Sequence, residues 1–434
     1  MPKTGEGSGH SQPFSFLDRL EILPEWEEAA RRWLARGGGV MVLGAPDTGK
    51  STLSRYLIYR AMAAGGRVAF VDLDLGQSHL GPPASLGLGL FPPHRPGDDP
   101  LSPEGLYFIG QTSPVAAVLE VAVGCRVLAD QARRQGVGRV VVNTSGFVQG
   151  PGALRLKKAE VELLSPTFIL ALERRRELEL MLKGLGGEIA DVAKITPTPT
   201  HLPRGRGSNR GLLATGKAEC DGETPPLQPV SGMDTAFRAP APPSRNPAAG
   251  TGSAESPVWQ IIRLPVSSRL SRRRPEERRF YREERFHRYF QGARAVNLRL
   301  APLSFQGLPF GAGRPLTPTE LGQWGQRLGT PALRGESAGR RLFLLLADSP
   351  PRHGALESGA GVRWLAWPSL AWQLVGLLDG AQRTLALGLI RPGPWDRKHL
   401  TVITPWPASE AGRVRFVKLG KIKVSREGLE LGDV

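Results

Sequence analysis

Residues 44–51 combine two glycines, a lysine and a serine at a spacing that binds phosphate. They read Gly-Ala-Pro-Asp-Thr-Gly-Lys-Ser and fit the nucleotide-binding pattern G-x-x-x-x-G-K-[ST]. Glycines at both ends permit backbone dihedrals that other residues avoid, so that successive N–H groups turn towards one anion. The pattern assigns the lysine to the β- and γ-phosphates and the serine hydroxyl to Mg²⁺. We therefore predict an ATP and Mg²⁺ site at Gly44, Ala45, Pro46, Asp47, Thr48, Gly49, Lys50, Ser51 and Thr52.

The segments on either side of this loop supply the elements that it requires. Residues 40–43 form an apolar run of strand length, and residues 51–60 carry Leu53 and Leu57 at helical spacing. A helix that begins at the loop adds its positive end to the phosphate site. A chance match in a chain with 54 glycines is the alternative, and the order of strand, loop and helix disfavours it.

Two carboxylates, Asp72 and Asp74, end the next apolar run. Side chains alternate along a strand, so both are expected on one face. An acid here commonly holds Mg²⁺ or its waters, and a carboxylate beside the γ-phosphate can take the proton of an incoming hydroxyl. We predict Ser51 and Asp74 as metal ligands, and Gln77 as a group that orients the nucleophile or a metal-bound water. The alternative is a strand-end turn with solvated acids.

An arginine-rich helix is predicted at about residues 274–290. Pro275 and the two glutamates after it favour a helix start, and Arg278, Arg282 and Arg285 share one face of that helix. Residues 269–294 contain ten Arg and four Glu, so the glutamates cannot neutralise the arginines. Such guanidinium groups can stabilise a transferring phosphoryl group or grip nucleic-acid phosphates. A solvated surface helix is the alternative.

Alternating strands and helices between residues 39 and 173 predict an α/β fold. The strand runs are apolar without alternation, which is typical of a mostly parallel sheet covered by helices on both faces. Ligands of such sheets bind beyond the carboxyl ends of the strands, where the loop, the acids and Asn143 all fall. We predict a P-loop NTPase domain over 16–195 and 257–294, which includes the arginine-rich helix as a lid.

The remaining segments differ in composition. Residues 1–15 are polar and predicted to be disordered, and residues 196–256 are rich in Pro, Gly, Ser and Ala, which predicts a flexible insertion. Residues 295–434 contain short strands and turns, among them 384–390, 400–404, 414–419 and 422–424, and are predicted to form a small β-rich module.

Bulk composition limits the function classes. The net charge of +17 in 434 residues favours a polyanionic partner such as nucleic acid, although an arginine-rich chain without such a partner is equally open on composition alone. Two cysteines, Cys125 and Cys220, argue against a disulfide framework and a cysteine-ligated zinc site. Without a long apolar run or a signal-peptide core, we expect no membrane association and a cytoplasmic protein, or a nuclear one in a eukaryote.

With these residues assembled, the chain resembles the polynucleotide 5′-hydroxyl kinases. This family includes the RNA kinase of pre-mRNA 3′-end cleavage and the kinases of ribosomal-RNA processing. The likeness covers roughly residues 20–190 and 258–294, and it depends on five segments, 44–51, 72–77, 112–114, 143–147 and the arginine-rich helix. It implies ATP-dependent phosphorylation of the 5′-hydroxyl end of RNA or DNA.

The resemblance also implies residue roles. Asp74 matches the general base, residues 112–113 match a polar segment near metal and acceptor, and residues 143–147 match a "clasp" that holds the substrate end. The implied catalytic residues are Lys50, Asp74, Arg274, Arg278 and Arg282, and the implied substrate-binding residues are Gln77, Thr112, Ser113, Asn143, Thr144, Gly146 and Phe147. Two departures stand out: Phe147 replaces the usual tryptophan of the clasp, and the 196–256 insertion interrupts the domain.

Other function classes remain to be separated by experiment. An ATP-binding scaffold of a nucleic-acid-processing complex, without phosphoryl transfer, is the main alternative. A GTPase switch is disfavoured because the chain has no Asn-Lys-x-Asp base-reading motif. The residues leave open RNA against DNA, ATP against GTP, and the identity of protein partners.

Overall fold

The computed structural model describes residues 21–92, 103–191, 259–300, 302–308, 313–350, 361–394, 396 and 398–434. These residues belong to one compact unit. The disorder predicted for 1–15 and the insertion predicted for 196–256 lie outside the described residues and stay predictions.

Seven α-helices occur within the described ranges. They are α1 (Pro24–Arg36), α2 (Lys50–Ala63), α3 (Val118–Arg134), α4 (Pro151–Leu164), α5 (Glu179–Leu185), α6 (Pro275–Phe290) and α7 (Pro318–Leu328). Four of them, α1, α4, α6 and α7, have a proline in the first turn, where its missing N–H removes no intrahelical hydrogen bond. The arginine-rich helix is thus present, as α6.

The strands of the described residues fall into an N-terminal and a C-terminal group. The first group is β1 (Gly38–Gly44), β2 (Val68–Asp72), β3 (Ser85–Phe91), β4 (Gly105–Phe108), β5 (Arg139–Asn143), β6 (Phe168–Glu173), β7 (Glu188–Asp191) and β8 (Gln260–Pro265). The second is β9 (Arg294–Arg299), β10 (Ser304–Gln306), β11 (Arg314–Pro315), β12 (Ala332–Ala338), β13 (Arg341–Leu346), β14 (Gly361–Ala366), β15 (Gln373–Leu378), β16 (Thr384–Ile390), β17 (His399–Thr404), β18 (Phe416–Val424) and β19 (Glu430–Asp433).

Six strands form the parallel centre of the fold, in the order β2-β5-β1-β6-β8-β7. Side chains of β1 alternate between two cores: Val40 and Val42 pack with α1 and α2, whereas Met41 and Leu43 pack with α3, α4 and α5. Because both faces are covered, every residue from Val40 to Leu43 is fully buried. The predicted α/β fold with a largely parallel central sheet and a β-rich C-terminal region is confirmed.

The same sheet continues into the C-terminal strands through antiparallel pairs. β2 pairs with β3, β3 with β4, and β4 with β16 at Leu106 and Thr384. β16 then pairs with β15, and β15 with β18, while β11 to β14 form a separate four-stranded sheet. A domain boundary at residue 294 stays a prediction, and the strands before and after it share one sheet.

One strand prediction for the C-terminal region is wrong. Residues 414–419 and 422–424 are not two strands, because β18 runs without interruption from Phe416 to Val424. Its pairing with β15 shifts register between Leu419 and Lys423. The interruption between the two predicted segments therefore coincides with an irregularity in the strand pairing and not with a turn. No helix of the described residues is long and apolar enough to cross a membrane.

Glycines allow the two halves of the large sheet to meet closely. A Cβ on Gly420 would lie 2.8 Å from the carbonyl oxygens of Gly110 and Leu374, and a Cβ on Gly376 would lie 2.5 Å from the Phe108 ring. The Lys421 N–H donates to the Gly110 carbonyl at 2.6 Å. The close approach of these backbones therefore depends on the absence of side chains.

We expect Gly420→Ala to lower the free energy of unfolding by about 1–3 kcal/mol, because the added methyl overlaps two backbone oxygens that have little room to move. Thermal unfolding followed by circular dichroism measures the change. Gly412→Ala is the matched control, since a Cβ there would meet nothing within 4 Å. Equal unfolding temperatures for the two variants would contradict the close packing at Gly420.

Candidate active site

The loop between β1 and α2 has the backbone that a phosphate cradle needs. Gly49 lies at φ 89° immediately before α2, and Asp47 lies at φ 60°, in the left-handed region that a non-glycine residue seldom adopts. The Thr48 hydroxyl donates to the Ala45 carbonyl at 2.9 Å and braces the loop. The N–H groups at the start of α2 and the helix dipole therefore face one point.

Lys50 is buried, and its ammonium group donates to the Ala45 carbonyl at 2.8 Å. The pKa of Lys50 is lowered to about 8, mainly by burial; Asp74 and Asp47 oppose this shift, and the positive charges of Lys157 and Arg278 contribute to it. An anion bound at the loop would favour the charged form of this lysine.

The two predicted acids have different surroundings. Asp72 is fully buried and accepts hydrogen bonds from the backbone N–H groups of Asp74, His79 and Leu80. Burial and the neighbouring Asp74 raise the pKa of Asp72 to about 6. Asp74 lies beyond the end of β2, where strand alternation no longer applies. Its Oδ1 accepts from Gly76 N and Gln77 N at 3.1 and 3.0 Å, and the side chain lines the cleft above the loop.

Asn143 and Thr144 lie behind the cleft and do not line it. Asn143 Nδ2 donates to Asp72 Oδ1 at 2.9 Å and lies 3.4 Å from Ser51 Oγ, while the buried Oδ1 has no hydrogen-bond partner among the described residues. The Thr144 hydroxyl donates to the Val42 carbonyl at 2.8 Å. In this structure both predicted substrate-binding residues are buried supports of the loop, because their polar groups face neighbouring strands.

Ser145, between these residues and Gly146, does line the cleft. Its hydroxyl oxygen accepts from Lys157 Nζ at 3.2 Å, and Lys157 forms a fully buried ion pair with Glu160 at 3.1 Å. An ammonium group can only donate, so the Ser145 hydroxyl must direct its own hydrogen elsewhere. Burial raises the pKa of Glu160, and Lys157 opposes that shift.

The three predicted lid arginines, Arg274, Arg278 and Arg282, differ in their contacts. Arg278 donates to Asp47 Oδ2 at 2.7 Å, and its buried Nε has no partner among the described residues. Arg282 lines the cleft but forms two hydrogen bonds to Glu430, at 2.6 and 2.8 Å. Arg274 is the N-cap residue of α6, and its backbone N–H donates to the Glu277 carboxylate. It does not line the cleft. Arg278 is therefore the predicted lid arginine that lies directly against the phosphate loop.

A cleft of about 590 Å³ brings these elements together. Predicted residues that line it are Pro46, Asp47, Gly49, Lys50, Ser51, Thr52, Asp74, Gln77, Thr112, Ser113, Gly146, Phe147, Arg278 and Arg282. Gly146 fits against the loop because a Cβ there would lie 2.9 Å from Pro46 N. Sequence reasoning did not select Arg55, His79, Ser145 or Arg273 as site residues, although Ser145 lies within the predicted clasp, and all four line the cleft. Two of these residues could have been found from the sequence, because Arg273 lies in the arginine run and Arg55 lies one helical turn after Ser51. No sequence pattern indicated His79.

Comparisons with known proteins agree on one family. Residues 44–212 match the family model described as mRNA cleavage and polyadenylation factor CLP1 P-loop. The polyribonucleotide 5′-hydroxyl-kinase of Pyrococcus horikoshii is 25% identical over 399 residues, which cover 92% of this chain and 89% of that protein. The enzyme of the same name from Methanocaldococcus jannaschii is 22% identical over 91% of this chain and 89% of that protein.

A solved structure gives the corresponding likeness of fold. This structure describes an extended interface between Pcf11p and Clp1p. It is 13% identical to this chain, covers 93% of this chain and 80% of its own, and superposes with a TM-score of 0.51. At that identity the likeness concerns the fold alone.

ATP binding at pH 8 should be accompanied by uptake of roughly half a proton, because the pKa of Lys50 is lowered to about 8 and a bound phosphate raises it. At pH 6.5 Lys50 is already charged, so it should take up no proton when ATP binds. Calorimetric titrations in two buffers of different ionisation enthalpy measure the proton count. Lys50→Met supplies the baseline, and an identical count in that variant at pH 8 would contradict the assignment.

Lys157→Met should lower the free energy of unfolding by about 3–5 kcal/mol, because it leaves Glu160 charged and unpaired in the core. The double variant Lys157→Met/Glu160→Leu should regain much of that loss. Urea unfolding measures both. Lys158→Met removes an exposed partner of Glu162 and should change stability by less than about 0.5 kcal/mol. A loss at Lys157 no larger than at Lys158 would contradict the buried pair.

Proposed function

Because this chain belongs to the polynucleotide 5′-hydroxyl kinase family, we propose that it transfers the γ-phosphate of ATP to the 5′-hydroxyl end of a polynucleotide. One observation supports this most directly: Lys50, Asp74 and Arg278 line the same cleft above the phosphate loop. The relatives are named polyribonucleotide kinases, which favours RNA as the acceptor. As a P-loop kinase of this family, the chain binds ATP.

Each residue of the cleft has a role in the transfer. The loop N–H groups and the start of α2 hold the ATP phosphates, and Lys50 exchanges the Ala45 carbonyl for a phosphate oxygen. Asp74 accepts the proton of the 5′-hydroxyl. The 5′ oxygen then bonds to the γ-phosphorus as the bond to the bridging oxygen breaks, and ADP leaves. The positive charges of Lys50 and Arg278 offset the charge on the transferring group.

The residues of this site fit Mg²⁺, and we include in the proposal the residues that would hold the ion. Ser51 and Asp74 would hold the ion or its waters. The amide of Asn143 has its Nδ2 3.4 Å from Ser51 Oγ, and its buried Oδ1, which has no partner among the described residues, is an oxygen of the type that Mg²⁺ or its waters prefer. The ion would supply neutralisation of phosphate charge. Within the described ranges there is no group of three or more His, Cys, Asp or Glu that could hold a metal.

The Asp74→Asn variant should lower kcat by about 10²-fold or more, because an amide cannot accept the proton. ATP affinity measured without Mg²⁺ should change little, since Asp74 would contact the nucleotide only through the ion or its waters. The assay follows transfer of a radiolabelled γ-phosphate to RNA and DNA oligonucleotides that end in a 5′-hydroxyl, with 5′-phosphorylated oligonucleotides as blanks. Asp130→Asn, at a partly exposed acid on α3 that does not line the cleft, serves as the control variant.

Two outcomes would contradict the proposal. Equal turnover by the Asp74→Asn variant would remove Asp74 as the base. Binding of ATP by the wild-type protein, without transfer to any 5′-hydroxyl oligonucleotide, would instead establish an ATP-binding scaffold.

A further inference from the structure

Basic side chains surround His79 at the edge of the cleft, and the transfer step above uses none of them. This His79 cluster consists of Arg55 on α2, His79 itself, and Arg273, Tyr281 and Arg285 at or on α6. Arg55, His79 and Arg273 line the cleft. The Tyr281 ring packs 5.9 Å from the His79 ring, and the Arg273 guanidinium lies 5.7 Å from the Tyr281 ring centre.

The hydrogen bonds of His79 fix which of its nitrogens carries a proton. Arg55 Nη2 lies 3.5 Å from Nδ1, and the Tyr281 hydroxyl lies 3.2 Å from the same atom. A guanidinium group can only donate, so Nδ1 is the acceptor and Nε2 carries the hydrogen. Burial, and then the charges of Arg55, Arg285 and Arg273, lower the pKa of His79 to about 3, so the ring stays neutral. The Nε2–H group has no hydrogen-bond partner among the described residues, and it is available to a ligand.

The arginines of the cluster differ from their neighbours on α6 in how their charge is balanced. Arg279, Arg282 and Arg288 each form an ion pair with a glutamate. Arg273 instead donates to the side-chain oxygen of Gln77 at 3.1 Å, and Arg285 donates to the Gly81 carbonyl at 2.8 Å. Neither guanidinium group forms an ion pair with a carboxylate within the part of the chain that the structure describes. Positive charges gathered without a counter-charge attract an anion.

The position of the cluster identifies which anion reaches it. Asp74, Gln77 and His79 lie on one loop, and Asp74 holds the N–H of Gln77. ATP phosphates bound by the glycine loop would lie on the side of that loop and Arg278, and the attacking and leaving oxygens must lie in line with the γ-phosphorus. An acceptor with its 5′-hydroxyl at Asp74 therefore extends away from the glycine loop. Its next negative charge is the phosphate that joins the first and second nucleotides.

We propose that the His79 cluster binds this first internucleotide phosphate, through the Arg273 guanidinium and the His79 Nε2–H group. The proposal depends on the proposed function and deepens it, because it makes the kinase select polynucleotide ends over free nucleosides. Charge-assisted hydrogen bonds from a guanidinium group are well matched to phosphate oxygens. A neutral imidazole beside them adds a donor without further charge repulsion.

Two oligonucleotides of one sequence test the proposal in the wild-type protein. One has ordinary linkages, and the other has an uncharged methylphosphonate at the first linkage only. We expect kcat/KM to fall at least about tenfold with the methylphosphonate, since a charged hydrogen-bond partner is lost. Arg273→Gln should reduce that ratio to less than about threefold, because the variant has already lost the contact. Arg288→Gln, an exposed arginine paired with Glu284 on the same helix, should keep the full ratio.

The outcomes separate this inference from the proposed function. Equal kcat/KM for the two oligonucleotides in the wild type would overturn the phosphate site and leave the kinase intact. A raised KM for ATP in Arg273→Gln, with an unchanged ratio between oligonucleotides, would assign the cluster to ATP and also overturn it. Equilibrium binding of the two oligonucleotides without ATP provides a test independent of transfer: weaker binding of the methylphosphonate supports the site, and equal binding refutes it.

Discussion

The buried carboxylate of Asp72 is the interaction on which the rest of the site depends. It accepts hydrogen bonds from three backbone N–H groups of residues 74–80 and from the side chain of Asn143. Through Asn143 it also reaches Ser51, at the start of α2. The ends of β2 and β5 and the helix of the glycine loop are therefore joined at one point. Because Asp72 fixes this loop, Asp74, Gln77 and His79 face the cleft in a defined order.

Charge is balanced unevenly around this point. Asp47 lies on the glycine loop itself, accepts from Arg278, and accepts from the backbone N–H of Arg273 at 3.2 Å. A carboxylate on the loop thus pairs with Nη2 of the lid arginine closest to it, while the Nε of that arginine has no partner among the described residues. The guanidinium groups of Arg273 and Arg285 form no ion pair with a carboxylate among the described residues, so positive charge persists on the acceptor side of the cleft. An arginine-rich helix is therefore not uniformly available to phosphate, since its partners differ along its length.

The sequence predicted what local chemistry determines. Glycine spacing, the flanking strand and the helix start identified the phosphate loop, and residues two and five positions beyond Asp72 followed from chain order. Long-range contacts were beyond such reasoning: Arg273 meets Gln77 across 196 positions, and Arg282 meets Glu430 across 148. Asn143 and Thr144 show the same limit, because a polar residue at a strand end can face either the cleft or the neighbouring strand. Periodicity alone does not distinguish these cases.

The C-terminal strands bear on the lid as directly as the glycine loop does. Arg282 is held by the carboxylate of Glu430, the N–H of Glu430 donates to Glu283, and Arg279 donates to the Glu430 carbonyl. A Cβ on Gly428, at φ 91°, would lie 2.3 Å from the His287 backbone nitrogen, so the turn before β19 can approach α6 only as glycine. These contacts hold α6 at residues 279–287, beyond the pair of Arg278 with Asp47. The β-rich region thereby contributes to phosphate chemistry because it fixes the helix from which Arg278 reaches the loop, although none of its described residues lines the cleft.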